Sequence, residues 1–217
     1  MRRSLAAVLI VPLLLALGAC APQFSADVTQ FHPQPGPEPQ SFILVPLDKA
    51  KGDTLEFASY ASLVVNALQA RGYRQVDTAP DAEVVVRLDY GIGPGMTESY
   101  SRPVYGYYPG TYHTVHGRTS DGRRFSARVY DHGGYVPLGY AQESRVVYQR
   151  TLTLDMVDAA AWRRGQTEKV YEGRVISVGP SAELAQVIPL MVRALFVDFP
   201  GPNGTTQTIV LPNQDGY

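Results

Sequence analysis

The chain has 217 residues, 45% hydrophobic and 18% charged, with 17 Pro, 20 Gly and 14 Tyr, enough for one globular domain with a core. A net charge of −1 excludes a strongly basic protein that grips nucleic acid through its phosphates, and a single Cys excludes a disulfide framework and any CxxC metal site. Apolar residues are spread along the chain except for one N-terminal run, which excludes a polytopic membrane protein.

Arg2 and Arg3 precede the apolar run Leu5–Leu17, which ends in Gly18-Ala19-Cys20. A charged start, a short apolar middle and a small-residue exit make residues 1–19 a secretory signal peptide. The run falls short of the roughly 20 apolar residues that a spanning helix needs. Leu17-Gly18-Ala19-Cys20 resembles the bacterial lipobox, which implies a diacylglyceryl group on the Cys20 thiol and an N-acyl chain on its amine. The alternative is an ordinary cleavage site that contains a Cys. That the only Cys of the chain stands here favours lipidation.

Each buried acyl CH₂ contributes about 0.8 kcal/mol, so several chains on one Cys anchor firmly. Loss of Arg2 and Arg3 leaves 17 basic against 20 acidic residues, a net charge of −3 and no polybasic patch to assist the lipid. Ala21, not Asp, follows Cys20. By resemblance to the sorting rule of Gram-negative lipoproteins, that implies the outer membrane and not the inner one; the domain is expected to face the periplasm. The lipid anchor makes the membrane an expected partner, and no further cofactor is expected.

Residues 20–40 hold the anchor and five prolines (Pro22, Pro33, Pro35, Pro37 and Pro39), which read as an extended tether rising about 3.1 Å per residue. Ser41–Val45, stopped by Pro46, reads as a first strand. Asp53 as N-cap, the stripe Phe57, Ala61, Val64, Val65 and Leu68, and Gly72 as terminator predict a helix. Val84, Val86, Leu88 and Tyr90 alternate with Val85, Arg87 and Asp89 as a second strand. Residues 91–140 form a Tyr/Gly-rich insertion, read as loop except for a hairpin about Asp121-Gly122 that pairs Thr111–Arg118 with Arg123–Tyr130.

Alternation returns from Val146 to Met156, a long strand. A turn over Ala159–Gly165 leads to a strand over Glu168–Val178. A helix opened by Pro180-Ser181 follows, with Leu184, Val187, Ile188, Met191 and Leu195 on one stripe. Pro189 predicts a kink or a later start. Phe199–Pro202 closes the domain at about residue 200, leaving 201–217 as a tail with an edge strand at Thr208–Leu211. The order β-α-β, insertion, β-β-α predicts an α+β two-layer sandwich over 41–200, a mostly antiparallel sheet with two helices on one face. A fragment Ser41–Tyr217 is then expected to fold by itself.

Several segments carry a resemblance. They are the lipobox, Ser41-Phe42, Ala67-Leu68-Gln69-Ala70-Arg71-Gly72-Tyr73, Asp81-Ala82-Glu83-Val84-Val85-Val86, Leu152-Thr153-Leu154-Asp155-Met156-Val157-Asp158 and Phe199-Pro200. In this order they are similar to bacterial lipoproteins of the domain-of-unknown-function 4136 family, over roughly Ser41–Pro200. Where that family shows Trp-x-Gly in its last strand, this chain has Tyr171-Glu172-Gly173. The resemblance implies an envelope lipoprotein and no particular chemistry.

Candidate chemistry is sparse. His113 and His116 would face one metal on a helix but point to opposite faces of the predicted strand; His132 is a conceivable third ligand. Asp155 and Asp158 suggest paired carboxylates, against the simpler reading of solvated residues at a strand edge. No G-x-S-x-G elbow, P-loop or HExxH occurs, and Gly91-Ile92-Gly93-Pro94-Gly95 lacks the helix that a dinucleotide site requires.

Tyr105, Tyr107, Tyr108 and Tyr112, with Arg102 and Tyr100, offer flat rings with hydroxyls suited to a partner surface or to sugar stacking. They read equally as padding whose aromatics fold back on the sheet. The expectation is a non-catalytic outer-membrane lipoprotein that contacts an envelope partner. The alternatives are a glycan or small-molecule binder using the tyrosines, or a periplasmic hydrolase.

Overall fold

A computed structural model describes residues 23–212; the signal segment, Cys20 and residues 213–217 lie outside them. It is a mixed α+β structure with a large, mostly antiparallel sheet, as the sequence predicts. By compactness the chain divides into Met96–Val146 and the remainder.

In the larger unit the strands are β1 (Gln23–Phe31), β2 (Ser41–Pro46), β3 (Arg74–Gln75), β4 (Val84–Ile92), the C-terminal part of β8 (Gly134–Asp158), β9 (Lys169–Gly179) and β10 (Thr205–Pro212). Their order is β10-β1-β9-β8-β4-β2-β3. All neighbours are antiparallel except β2, which runs parallel to both β4 and β3. The helices are α1 (Leu55–Gln69), α2 (Ala159–Arg163) and α3 (Leu184–Phe196).

Alternation explains the layering. Phe24, Ala26 and Val28 of β1, Val84, Val86, Leu88 and Tyr90 of β4, Leu152, Leu154 and Met156 of β8, and Tyr171 and Val175 of β9 point into one core. There they meet Phe57, Tyr60, Val64 and Leu68 of α1 and Val187, Ile188, Met191 and Leu195 of α3. The opposite face buries only a small cluster, Ala82, Val85, Val157 and Ala159, beside α2.

Helix ends follow from local chemistry, with two shifts from expectation. Thr54, one residue after the expected Asp53, caps α1, its Oγ1 accepting from Phe57 N at 3.0 Å. Gly72 ends the turn at φ +89°, where a side chain would be strained. Helix α3 starts at Leu184 and runs through Pro189. The N–H that Pro lacks would have bonded near the helix start, and the buried stripe of α3 offsets its loss.

Residues 23–31 are not a tether. They form β1, hydrogen-bonded between β9 and β10, with Phe24, Ala26, Val28 and Gln30 inward and Ser25, Asp27 and Thr29 on the other face. The pattern of period two was hidden among small and polar residues and overshadowed by the prolines, of which Pro33 to Pro39 lie after the strand. The domain likewise does not close at residue 200: Thr205–Pro212 is β10, longer than the expected edge strand and paired along β1. The stretch 91–140 is strand over much of its length, not loop.

Because β1 is internal, a fragment starting at Ser41 should lack the cooperative unfolding transition shown by one starting at Gln23. The loss of buried Phe24 alone costs about 3–5 kcal/mol, and β9 and β10 lose their shared neighbour; thermal melts followed by circular dichroism compare the two. Conversely, Ile92 lies opposite Arg150, and Gly93 N donates to Gln149 O at 2.8 Å, so β4 and β8 already form one ladder there. Replacing Met96–Val146 by a two-residue Asn-Gly turn should leave the sheet folded, with a melting temperature within a few degrees of the full chain.

Candidate functional site

The motif residues prove to be fold determinants. The Ser41 backbone N–H and hydroxyl donate to Glu83 Oε2 at 2.8 and 2.7 Å, pinning the starts of β2 and β4 together. These bonds hold the Glu83 carboxyl below its usual range. Arg71 donates to Ala67 O at 2.9 Å and to Phe196 O, and lies over the Phe196 ring, joining α1 to α3. Buried Tyr73 meets Phe42 and Phe199 edge-on. Tyr171 lies over Gly173, where a Cβ would come within 2.6 Å of the phenol oxygen, which is why an aromatic-x-Gly pattern stands there.

The two aspartates have separate structural duties. Asp158 caps α2, its Oδ1 accepting from Ala161 N at 2.6 Å. Asp155 is buried, correcting its reading as a solvated edge residue, and pairs with Lys169 at 3.1 Å. Lys169 also bonds Glu172, and the two carboxylates raise its pKa, Glu172 contributing most. Asp155 and Glu172 line a cleft of about 250 Å³ on the face opposite α1 and α3, with Thr29, Phe31, Thr153 and Arg174. Nearby, Arg87 lies over the Trp162 ring at 5.3 Å. Asp155 and Glu172 share one ammonium, which leaves the three groups at a net charge of −1 with both carboxylates tied to Lys169. Local patterning could place Asp155 on this face but could not reveal that Lys169 covers it.

The smaller unit, Met96–Val146, holds β5 (Met96–Tyr108), β6 (Thr111–Arg118), β7 (Arg124–Asp131) and the first part of β8. The expected hairpin is present: β6 and β7 pair antiparallel from Thr111 opposite Asp131 to Arg118 opposite Arg124, and Gly122 takes φ +84° in the turn. The remaining stretch, expected as loop, is a second ribbon of β5 on β8. Glu98–Arg145, Tyr100–Glu143 and Ser101–Gln142 join it side chain to side chain, pairs that run in opposite directions along the two strands.

No residue of Met96–Val146 is buried. Tyr105, Tyr107, Tyr108 and Tyr112 are all exposed, as are Tyr135, Tyr140, Phe125 and Leu138. The tyrosines meet in exposed pairs, Tyr107 edge-on with Tyr135 at 5.7 Å and Tyr112 tilted against Tyr130 at 4.8 Å. The candidate residues do not converge on one point. Tyr105 and Tyr107 share one face of β5, Arg102 and Tyr108 take the other, and Tyr112 lies on β6. Arg102 pairs with Glu143 at 2.9 Å instead of lying over a tyrosine. His113 and His116, at odd spacing on β6, face opposite ways; His132 packs on Tyr130.

The Glu83 bonds carry a pH signature. A carboxyl depressed in the folded state contributes stability above its unfolded pKa, and that contribution disappears as pH falls. The acid limb of the melting-temperature profile below about pH 4.5 should therefore be shallower in Glu83→Gln than in the parent chain, as scanning calorimetry would measure.

No curated protein sequence matches this chain. Among solved structures it is similar to a PDZ domain protein from Parabacteroides distasonis, at 10% identity and a TM-score of 0.44, covering 92% of this chain. The chain spans 41% of that protein's length. The family described as Domain of unknown function (DUF4136) matches residues 24–201, a span that starts with β1, continues past Pro200 and takes in both units. The chain belongs to this family.

Proposed function

We propose that this is a non-catalytic lipoprotein, held by lipid on Cys20 at the periplasmic face of the outer membrane, whose tyrosine-rich ribbons dock an envelope protein. One observation carries the docking reading: Met96–Val146 buries nothing, yet exposes eight tyrosines with Phe125, Leu138 and several valines. Two-stranded ribbons are marginal in water without a covered apolar face, and exposed strand edges invite pairing. Concentrated exposed aromatics on such ribbons mark a contact surface. The structural duties of the family-motif residues and the pairing of Asp155 with Lys169 favour a non-catalytic role. The lipobox supports the anchor. Only Ala21 and Pro22 separate Cys20 from β1, so the anchor would hold the sheet itself near the bilayer, about 10 Å of chain away.

Palmitate-analogue labelling should mark the wild type and not Cys20→Ala, and fractionation should move the processed mutant out of the membrane pellet. An unlabelled wild type overturns the anchor. For docking, a photo-crosslinking residue at Tyr107 or Tyr135 should give one discrete protein adduct in intact envelopes. That adduct should disappear when Phe125 and Leu138 are both changed to Ser. No protein adduct, together with a saturable change of Tyr fluorescence on adding peptidoglycan fragments, would instead identify a glycan binder.

A further inference from the structure

Arg150 lies on the helix-bearing face of β8 and is 4% exposed. Its Nη2 donates to Ser177 Oγ at 2.9 Å and its Nη1 to Ser181 O at 3.2 Å. Its Nε is buried without a hydrogen-bond partner among the described residues. No carboxylate of the described residues pairs with it. Asp155, the buried acid of the same sheet, has Lys169; Arg150 has only neutral oxygens. A buried charge that lacks its counter-charge is strongly disfavoured unless something supplies one.

The surroundings are built to receive an anion. Arg150 opens on a pocket of about 150 Å³ lined also by Gln23, Ser25, Ser177, Ser181 and Gln186. Ser181 and Gln186 stand at the start of α3 and bond one another, Ser181 Oγ donating to Gln186 Oε1 at 3.2 Å and accepting from Glu183 N at 3.1 Å. The N-cap Glu183 makes no capping bond with its side chain, so Leu184 and Ala185 of the first turn keep N–H groups without a side-chain cap at the positive end of the helix. Gly179 leaves room for the guanidinium: a Cβ there would come within 3.0 Å of both Nη atoms. Ser177 Oγ donates to Ser25 O at 2.9 Å, which leaves its lone pairs to Arg150 and orients the fork. The charged neighbour that opposes an anion is Glu183, exposed and bonded to Gln186.

We propose that this pocket binds a phosphate-class oxyanion, with Arg150 as the charged ligand and Ser181, Gln186 and the α3 N-terminus completing the cradle. The pocket is far below the 300–1,000 Å³ of a typical drug-sized site, so it takes a single phosphate group and not a nucleotide. Gln23 on its rim lies three residues after Cys20. If the anchor reading of the preceding section holds, membrane phosphates lie within reach, and a lipid headgroup and free phosphate are the two sources of the same chemistry. Only that choice of source rests on the anchor reading.

The full chain in a neutral detergent, free of other oxyanions, should gain thermal stability saturably with inorganic phosphate. Arg150→Met should bind at least about tenfold more weakly, the loss expected for a charged hydrogen bond. A merely structural arginine predicts something different. Removing it would lower the melting temperature without any anion, whereas removing an unpaired binding charge leaves the phosphate-free melting temperature unchanged or higher. Glu183→Gln, a surface change that keeps the fold, should strengthen binding and tests the site even if Arg150→Met does not fold. Titration with dihexanoyl phosphatidylglycerol below its micelle concentration assigns the source: binding lost in Arg150→Met means a headgroup, and phosphate binding alone means free phosphate. No saturable shift with either probe, or equal shifts in wild type and Arg150→Met, overturns the proposal.

Discussion

The buried hydrogen bond from the Tyr171 hydroxyl to Gln30 Oε1, at 2.6 Å, joins strands whose residues lie 141 positions apart in the chain. Tyr171 is on β9, Gln30 on β1, and the ring also meets Phe199 just beyond α3 at 4.9 Å. Burial raises the Tyr171 pKa well above its usual value, so the phenol stays a neutral donor. The ring can lie flat along its own strand only because residue 173 has no side chain. With β1 held in this way, β10 gains a partner and the core under α3 is closed. Without β1, the pairing of β9 to β10 through a shared neighbour has no basis.

The two units solve opposite problems. The larger one buries helices against a sheet, and its polar groups are matched at close range: Ser41 with Glu83, Asp155 with Lys169, Asp158 with the first turn of α2. The smaller one puts strand-forming residues into ribbons that have two solvent-facing sides. Its ion pairs are exposed, worth at most about 1 kcal/mol each, and its aromatic contacts are between exposed rings. Hydrogen bonding shapes such a ribbon, but apolar burial does not stabilise it. A surface of this kind gains most from being covered, which is the physical basis for reading it as a docking element.

Buried charges divide along the same lines of reasoning. Asp155 pairs with Lys169 on the face opposite α1 and α3. Arg150, on the other face, is held by a hydroxyl and a carbonyl alone. A guanidinium does not lose its proton when buried, so the desolvation that lowers its pKa leaves it charged and in need of an anion. The contrast singles out one end of α3 and leaves the cleft at Asp155 as a matter of structure.

Local pattern alone determined the elements whose burial follows a clean period: α1 from its apolar stripe, β4 and the C-terminal part of β8 from alternation, the β6–β7 hairpin from Asp121-Gly122, and the two-layer α+β plan that these imply. The family resemblance was legible for the same reason, since its motifs are caps, close approaches and strand starts that local chemistry dictates. Tertiary structure decided the rest. Strand β1 has small and polar residues on both faces, and its inward Ala26 and Gln30 become core positions only because β9 and β10 flank it. The ribbon of β5 on β8 has no hydrophobic alternation to announce it, because neither of its faces is buried. In the sequence Arg150 reads as one more polar residue within the strand Val146–Met156. Only the packing of α3 over the sheet excludes water from its guanidinium, and that exclusion turns an ordinary arginine into a charge that needs a ligand.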